Sequence, residues 1–229
     1  MASIESNIAF IKTEISKAAN RAGRNPDSIE ILAATKTVEK NRIVNALEAG
    51  IKLFGENRVQ EAAQKFSPKP DKAHLHMIGH LQRNKAKMAV DLFDCVESID
   101  KIETAAALER HCLVKKRPID VLLEVNTSGE LSKSGFRTDE DLYRSLDDLL
   151  NLKMLKIRGL MTIGPFTSDE IVVRSAFANL RDLFERLSAR IGRPSFDTLS
   201  MGMSSDFIWA VEEGATRIRL GSVLFGERQ

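Results

Sequence analysis

A short apolar run rich in strand formers, followed by a stretch of helical periodicity, recurs eight times along this chain, and nothing else limits its fold as strongly. The first run covers 29–35, and the helical pattern after it passes through Ile43, Val44 and Leu47 and closes at Gly50. The second is Lys52-Leu53-Phe54, ending at Gly55, with a helix through Val59, Ala62 and Ala63. The third covers 74–80 with a helix near 85–90, and the fourth covers 93–99 with a helix over 101–113. The fifth, at 119–126, is the clearest, and its helix passes through Leu142, Leu146, Leu149 and Leu150. The sixth covers 155–164 and leads into a long helix that ends near Ile191. The seventh covers 196–202 with a helix through Ile208 and Val211, and the eighth covers 216–226. Ahead of all eight, Ile4, Ile8, Ile11, Ile15 and Ala18 fall at steps of three and four, one stripe on a leading helix that Asn25-Pro26-Asp27 ends.

Strands alternating with helices build either a closed barrel or a doubly wound open sheet. Eight units match the barrel, and no glycine-rich dinucleotide fingerprint follows the first strand. The expectation is an α/β fold: a single (β/α)8 barrel of the TIM type with an extra N-terminal helix, one domain over 1–229. Hydrophobic residues make up 43% of the chain, enough to fill such a core. The 34 basic and 32 acidic residues nearly cancel, which gives no electrostatic case for a nucleic-acid partner. Cys95 and Cys112 stand outside any CxxC pair and are expected to be free thiols. The opening segment carries Glu5 and Glu14 and no continuous apolar core, unlike a signal peptide. No apolar run approaches the roughly 18 residues of a membrane span. A cytoplasmic protein with no membrane partner is expected.

In a barrel of this kind chemistry gathers at the C-terminal ends of the strands. Strand one ends in Thr35-Lys36, strand two leads into Gly55-Glu56-Asn57, and strand seven ends in Ser200-Met201-Gly202. Side chains alternate along a strand, so if Leu32 and Ala34 face the interior, Lys36 does too. A lysine on an inner wall is partly desolvated, and its amine can condense with a carbonyl; the plainer reading is a strand-end lysine that reaches into solvent. The turns Ser200-Met201-Gly202-Met203-Ser204 and Gly221-Ser222 follow the last two strands, where barrels often bind phosphate. Glycine lets backbone N–H groups approach an anion and serine adds a donor, although glycines of this kind also simply make turns. The helix starting near Ser205-Asp206 would add its positive end. Arg219 shares a face with Arg217 and could meet phosphate, a ring nitrogen, or a carboxylate within the barrel such as Glu124 or Glu30. His74, His76 and His80 share parity, but no cysteine or HExxH pattern joins them, so no metal site is assigned.

ATKTV around Lys36, FGENRVQE at 54–61, HMIGHLQRNK at 76–85, SKSGF at 132–136, IRGLMTIG at 157–164, LSMGMSSDF at 199–207 and IRLGSVLFGER at 218–228 resemble, in order, the pyridoxal phosphate homeostasis proteins. The resemblance runs through nearly the whole chain. It implies a barrel similar to the N-terminal domain of alanine racemase, with pyridoxal 5′-phosphate held as an aldimine on Lys36. It places Ser200, Gly221 and Ser222 around the phosphate, Arg219 near the pyridine nitrogen, and Asn57 and His80 near the cofactor. His80 fills a variable position of the family motif IGxLQxNK. The candidate cofactor-binding set is Lys36, Asn57, Ser200, Met201, Arg219, Gly221 and Ser222, with no catalytic residue assigned.

The implied role is to carry or buffer the cofactor in vitamin B6 homeostasis, with PLP-dependent acceptor enzymes as partners. The alternative is a PLP-dependent amino-acid racemase. Racemisation needs proton-transfer groups on both faces of the substrate α-carbon. The single tyrosine, Tyr143, lies in the helical pattern DLYRSLDDLL, away from any strand end. An arginine at the ring nitrogen also weakens the ring as an electron sink. Both features favour a carrier. A monomer is expected, because alanine racemase dimerises through a domain that has no counterpart in this sequence.

Overall fold

The computed structural model describes residues 3–226. Its strands are β1 (Glu30–Ala34), β2 (Leu53–Glu56), β3 (His74–Met77), β4 (Cys95–Ile99), β5 (Ile119–Glu124), β6 (Leu155–Met161), β7 (Thr198–Ser200) and β8 (Arg217–Leu220). They form a closed, all-parallel barrel in sequence order, with Leu32 of β1 opposite Leu53 of β2 on one side and Arg219 of β8 on the other. The expected barrel and its eight strands are therefore present. Between the strands run α2 (Lys40–Glu48), α3 (Val59–Lys65), α4 (Ala86–Leu92), α5 (Ile102–Lys115), α6 (Asp139–Leu150), α7 (Glu170–Ile191) and α8 (Phe207–Glu212), with α1 (Ile4–Arg21) ahead of β1 and α9 (Ser222–Phe225) after β8.

Ser3 caps α1 by accepting the Ser6 N–H, and the stripe Ile4, Ile8, Ile11 and Ile15 is buried as its spacing requires. Each such isoleucine contributes about 2 kcal/mol of burial. The helix docks against α8 and α9: Asn7 donates to Leu224 O at 2.9 Å, and beyond the helix Arg24 donates to Val211 O and Ala215 O. It thus covers the side of the barrel where the two last helices are short.

The eighth strand stops at Leu220, and Ser222–Phe225 turns into α9 instead of extending the strand to Gly226. The N–H groups of Leu224 and Phe225 both donate to Gly221 O, and both side chains are buried. Local hydrogen bonds and burial outweigh the strand propensity of Val223-Leu224-Phe225.

The outer apolar shell, between sheet and helices, includes Ala33, Phe54, Leu75, Val96, Val121, Leu123, Leu160, Leu199, Ile218 and Leu220. Leu32, Ile78, Leu122 and Met161 are buried but stand outside that shell; strand parity and register put them in the barrel interior with Gly55, His76, Glu97, Ser200, Arg217 and Arg219. The interior is therefore polar at its centre. An extra residue in β6 places Ile157 opposite Val121 but Gly159 opposite Leu122, a bulge that changes which side chains face inward.

Candidate functional site at the barrel mouth

Lys36 lies just beyond β1, in a turn, and its side chain is exposed. The inner-wall, partly desolvated lysine expected from strand parity is not what the chain builds, because the strand ends two residues earlier. Its ammonium makes no hydrogen bond or ion pair among the described residues. The Val38 N–H donates to Thr35 O at 2.9 Å and closes the turn. Thr37 takes φ 63°, the positive angle of the third residue of a type II turn, where glycine is usual.

The turn lies beside the start of α9. A Cβ on Gly221 would sit 3.6 Å from Ala34 O, in ordinary contact with the end of β1. The backbone N–H groups of Gly221 and Val223 converge on a single acceptor, Ser204 Oγ, at 3.2 and 3.3 Å. Ser204 comes from the loop after β7, so the two turns singled out in the sequence meet. Ser222 is exposed between those two amides. Gly202, at φ 90°, lets this loop pass α8: a Cβ there would lie 2.4 Å from the Ala210 Cβ. The start of α8 is less available than expected, because the Asp206 carboxylate sits there and accepts the Met203 N–H at 2.5 Å.

Arg219 points inward and is nearly fully buried. It donates to Ser200 Oγ at 2.8 Å and to Thr162 O at 2.6 Å, and burial lowers its pKa from the usual guanidinium value. Among the described residues it makes no ion pair. Of the two carboxylates considered for it, Glu30 goes to Arg217 at 2.6 Å and Glu124 pairs with neither arginine; Arg217 also contacts Glu97, which the sequence did not suggest, at 3.0 Å. Ser200 is fully buried below the mouth and donates to Glu97 Oε2 at 2.7 Å. Met201 belongs to the outer apolar shell, so only its backbone is near the interior. Asn57 follows β2, and its backbone is packed so tightly against Gly79 that a Cβ there would come within 2.5 Å of Asn57 O. His80 is exposed and contacts Asp100 at 3.2 Å. Lys36, Gly221, Ser222 and Ser204 therefore gather at the rim, Arg219 stands beneath, and Ser200 supports Arg219 from below.

Glu97 was invisible to the sequence reading. Burial by itself would raise its pKa, but Arg217, the His76 hydrogen bond and Arg219 together hold it well below the usual carboxylate range. His76 Nδ1 lies 2.7 Å from Glu97 Oε1. His76, Cys95 and Glu97 each bring a potential ligand atom within 4.8 Å of the others. Arg217 already stands on that carboxylate oxygen, and burial followed by Glu97 pushes the Cys95 thiol far up, so the cluster is a poor host for a cation. The signal that could have revealed Glu97 is its alternation with Cys95 within β4.

The match to known proteins covers this whole arrangement. The alanine racemase N-terminal domain family matches residues 6–229. The pyridoxal phosphate homeostasis protein of Vibrio alginolyticus is 38% identical over 233 residues, which cover 100% of this chain and 99% of the relative. The chain belongs to the pyridoxal phosphate homeostasis protein family. A solved structure of PipY from Synechococcus elongatus PCC7942, with PLP bound, matches at TM-score 0.84 and 34% identity, over 98% of this chain and 100% of that one. Alanine racemase of Clostridium difficile 630 matches at TM-score 0.75 and 14% identity, over 97% of this chain and 56% of the racemase, a likeness of fold alone. The motifs that suggested the pyridoxal phosphate homeostasis family are those that build the mouth: ATKTV makes the Lys36 turn, LSMGMSSDF supplies Ser204, and IRLGSVLFGER supplies Arg219 and Gly221. Glu227 and Arg228, at the end of the last motif, lie outside the described residues. Among the described residues no helix is long and apolar enough to cross a membrane.

Proposed function

We propose that this chain carries pyridoxal 5′-phosphate at the barrel mouth, covalently on Lys36, and buffers or delivers it in vitamin B6 homeostasis. The observation that carries the reading is a lysine with no partner among the described residues, on the turn after the strand end that Gly221 packs against, where two backbone amides converge on one oxygen position. The donor set fits the cofactor. A phosphate needs N–H and O–H donors: the Ser204 and Ser222 hydroxyls offer two, and a phosphate oxygen taking the position of Ser204 Oγ would gain the Gly221 and Val223 N–H groups that now meet there. A pyridine nitrogen accepts a hydrogen bond, and Arg219 is a buried donor with no carboxylate of its own. When bound, the cofactor supplies an aldehyde that condenses with a lysine amine, forming a C–N double bond and releasing one water.

In this reading Arg219, cationic and held by Ser200 and Thr162, disfavours a proton on the ring nitrogen and keeps the ring a weak electron sink. That suits storage better than turnover. Tyr143 supports the same preference: it sits on α6 under Arg190, whose guanidinium carbon lies 5.5 Å from the ring centre. The carrier reading therefore stands ahead of the racemase. We read the chain as one cofactor-binding domain, monomeric and cytoplasmic, that meets the enzymes to which it passes the cofactor. Its two buried free thiols suit that compartment.

The test is the visible spectrum of the purified protein with added pyridoxal 5′-phosphate, before and after borohydride, followed by peptide mapping. The parent protein is expected to show a reducible band that maps to Lys36. Lys36→Ala is expected to lose it while melting within about 0.5 kcal/mol of the parent, because the side chain is exposed. A borohydride-fixed adduct at another lysine would overturn the assignment.

A further inference from the structure

The turn that carries Lys36 is held from outside the barrel by α3. Thr35 O, in the peptide group before Lys36, accepts from Lys65 Nζ at 2.6 Å. The Thr37 N–H, in the peptide group after Lys36, donates to Glu61 Oε1 at 2.8 Å. Both peptide groups that flank the Lys36 Cα thus end on one ion pair, since Lys65 Nζ also meets Glu61 Oε1 at 2.7 Å across one helical turn. The third proton of Lys65 goes to Glu56 Oε1 at 3.0 Å, so the ammonium is saturated. Glu56 is fully buried and also accepts from Thr35 Oγ1 at 2.7 Å.

The clamp opposes a local preference. Thr37 is β-branched and sits at positive φ, where L side chains are disfavoured and where glycine would be relaxed. Nothing in the turn's own sequence selects that geometry. The Thr37 hydroxyl turns back to Lys36 O at 2.6 Å, and among the described residues the N–H is satisfied by Glu61 alone. Strain held by contacts from a neighbouring element, at the one residue next to a free amine, points from an observed outlier to a role.

We propose that Glu61 and Lys65 are positioning residues for Lys36, locking the strained turn so that its amine is presented to the aldehyde of the bound cofactor. This rests on the carrier reading above. Neither residue touches the cofactor; both act through the backbone on either side of Lys36. Bond formation at the amine depends on approach geometry within about an ångström, so loosening the turn slows capture more than it weakens docking of the phosphate and ring. Burial would raise the Glu61 pKa, but Lys65 and the Thr37 N–H outweigh it, and the carboxylate stays ionised above the acid range.

The experiment compares two probes on the parent protein, Glu61→Ala and Glu61→Gln. Pyridoxal 5′-phosphate reports covalent capture by stopped-flow absorbance and borohydride trapping at Lys36. Pyridoxine 5′-phosphate has an alcohol in place of the aldehyde and reports docking alone by calorimetry. Glu61→Ala is expected to slow capture roughly tenfold or more while its affinity for pyridoxine 5′-phosphate changes less than twofold. Glu61→Gln keeps an oxygen for the Thr37 N–H and is expected to recover most of the rate. Capture at the parent rate in Glu61→Ala would overturn the clamp, and so would an equal loss of both probes, which would mean general damage to the site. If Glu61→Ala does not fold, Glu61→Ser, whose short hydroxyl cannot reach the Thr37 N–H, replaces it: slowed capture with docking of pyridoxine 5′-phosphate unchanged upholds the clamp, and capture at the parent rate overturns it. Failure of the parent protein itself to form an adduct at Lys36 would remove the carrier reading and this role with it, an outcome distinct from a parent that captures and a variant that captures equally well.

Discussion

Glu124 ends β5 with its carboxyl in the barrel mouth, nearly fully buried. Burial raises its pKa most, Asp100 raises it further, and Arg219 offsets only part, leaving it at about 7. An acid whose pKa is higher in the folded state gives its full contribution below the unfolded value of 4.5 and loses it as pH rises through 7. That interval corresponds to at most about 3 kcal/mol. Glu124→Gln removes the titration, so its stability relative to the parent is expected to climb between pH 4.5 and 7 by about 2–3 kcal/mol. Thermal melts from pH 4 to 8 measure this, and parallel curves for the two proteins would show that Glu124 does not titrate in that window. At this scale the sequence was informative where strand parity holds. Arg217 and Arg219 do share the inner face. Which of them takes the carboxylates was hidden, because Glu97 arrives from β4 and no local pattern joins it to β8. The exposure of Lys36 was the plainer of two readings, and parity could not choose between them, since it says nothing once a strand has ended.

The elements were legible through periodicity, and the departures trace to contacts that periodicity cannot carry. β8 ends early because Gly221 O captures two amides and starts α9. The bulge in β6 depends on Gly159, where a Cβ would fall 1.8 Å from Thr198 O of the neighbouring strand. Neither event leaves a mark in hydrophobic spacing alone. The junction of β2 and β3 is the element-level feature closest to the site. Gly79 packs flat on the backbone after β2, and an alanine there would meet Asn57 O at 2.5 Å and Asn57 Cα at 2.8 Å. Backbone on both sides cannot rotate away as a flexible side chain could. Gly79→Ala is therefore expected to cost about 2–3 kcal/mol, by the usual scale for overpacking, and to displace Asn57. Urea denaturation measures the first, and calorimetry with pyridoxal 5′-phosphate the second. A loss under about 0.5 kcal/mol would mean that the two loops are not in fixed contact.

At the scale of the molecule, closure of eight strands places their inward side chains around one axis, and here that axis is charged. Glu97 from β4 joins His76 of β3, Ser200 of β7 and Arg217 of β8, and through Ser200 reaches Arg219. The contacts from Glu97 to Ser200 and to Arg217 cross the barrel, while those to His76 and between Ser200 and Arg219 join neighbouring strands, so together they tie opposite walls while also holding the guanidinium that faces the mouth. Removing one partner of a buried pair leaves the other charge stranded, and such losses are typically about 3–5 kcal/mol. Glu97→Gln keeps the shape but removes the charge that Arg217 and Arg219 face and turns one of the two accepting oxygens into a donor. Glu30 still neutralises Arg217, so the loss is expected near the lower end, about 3 kcal/mol at pH 7. The sign with pH is opposite to that of Glu124. The Glu97 pKa is depressed in the folded state, so its contribution is present above the unfolded value of 4.5 and is lost as pH falls below it. The parent protein should therefore lose stability on acidification more steeply than Glu97→Gln, and their melting curves should converge toward acid. Melting temperatures at pH 3, 5 and 7 decide it: a gap that stays constant across the three would mean that Glu97 fills space in the barrel without holding it by charge.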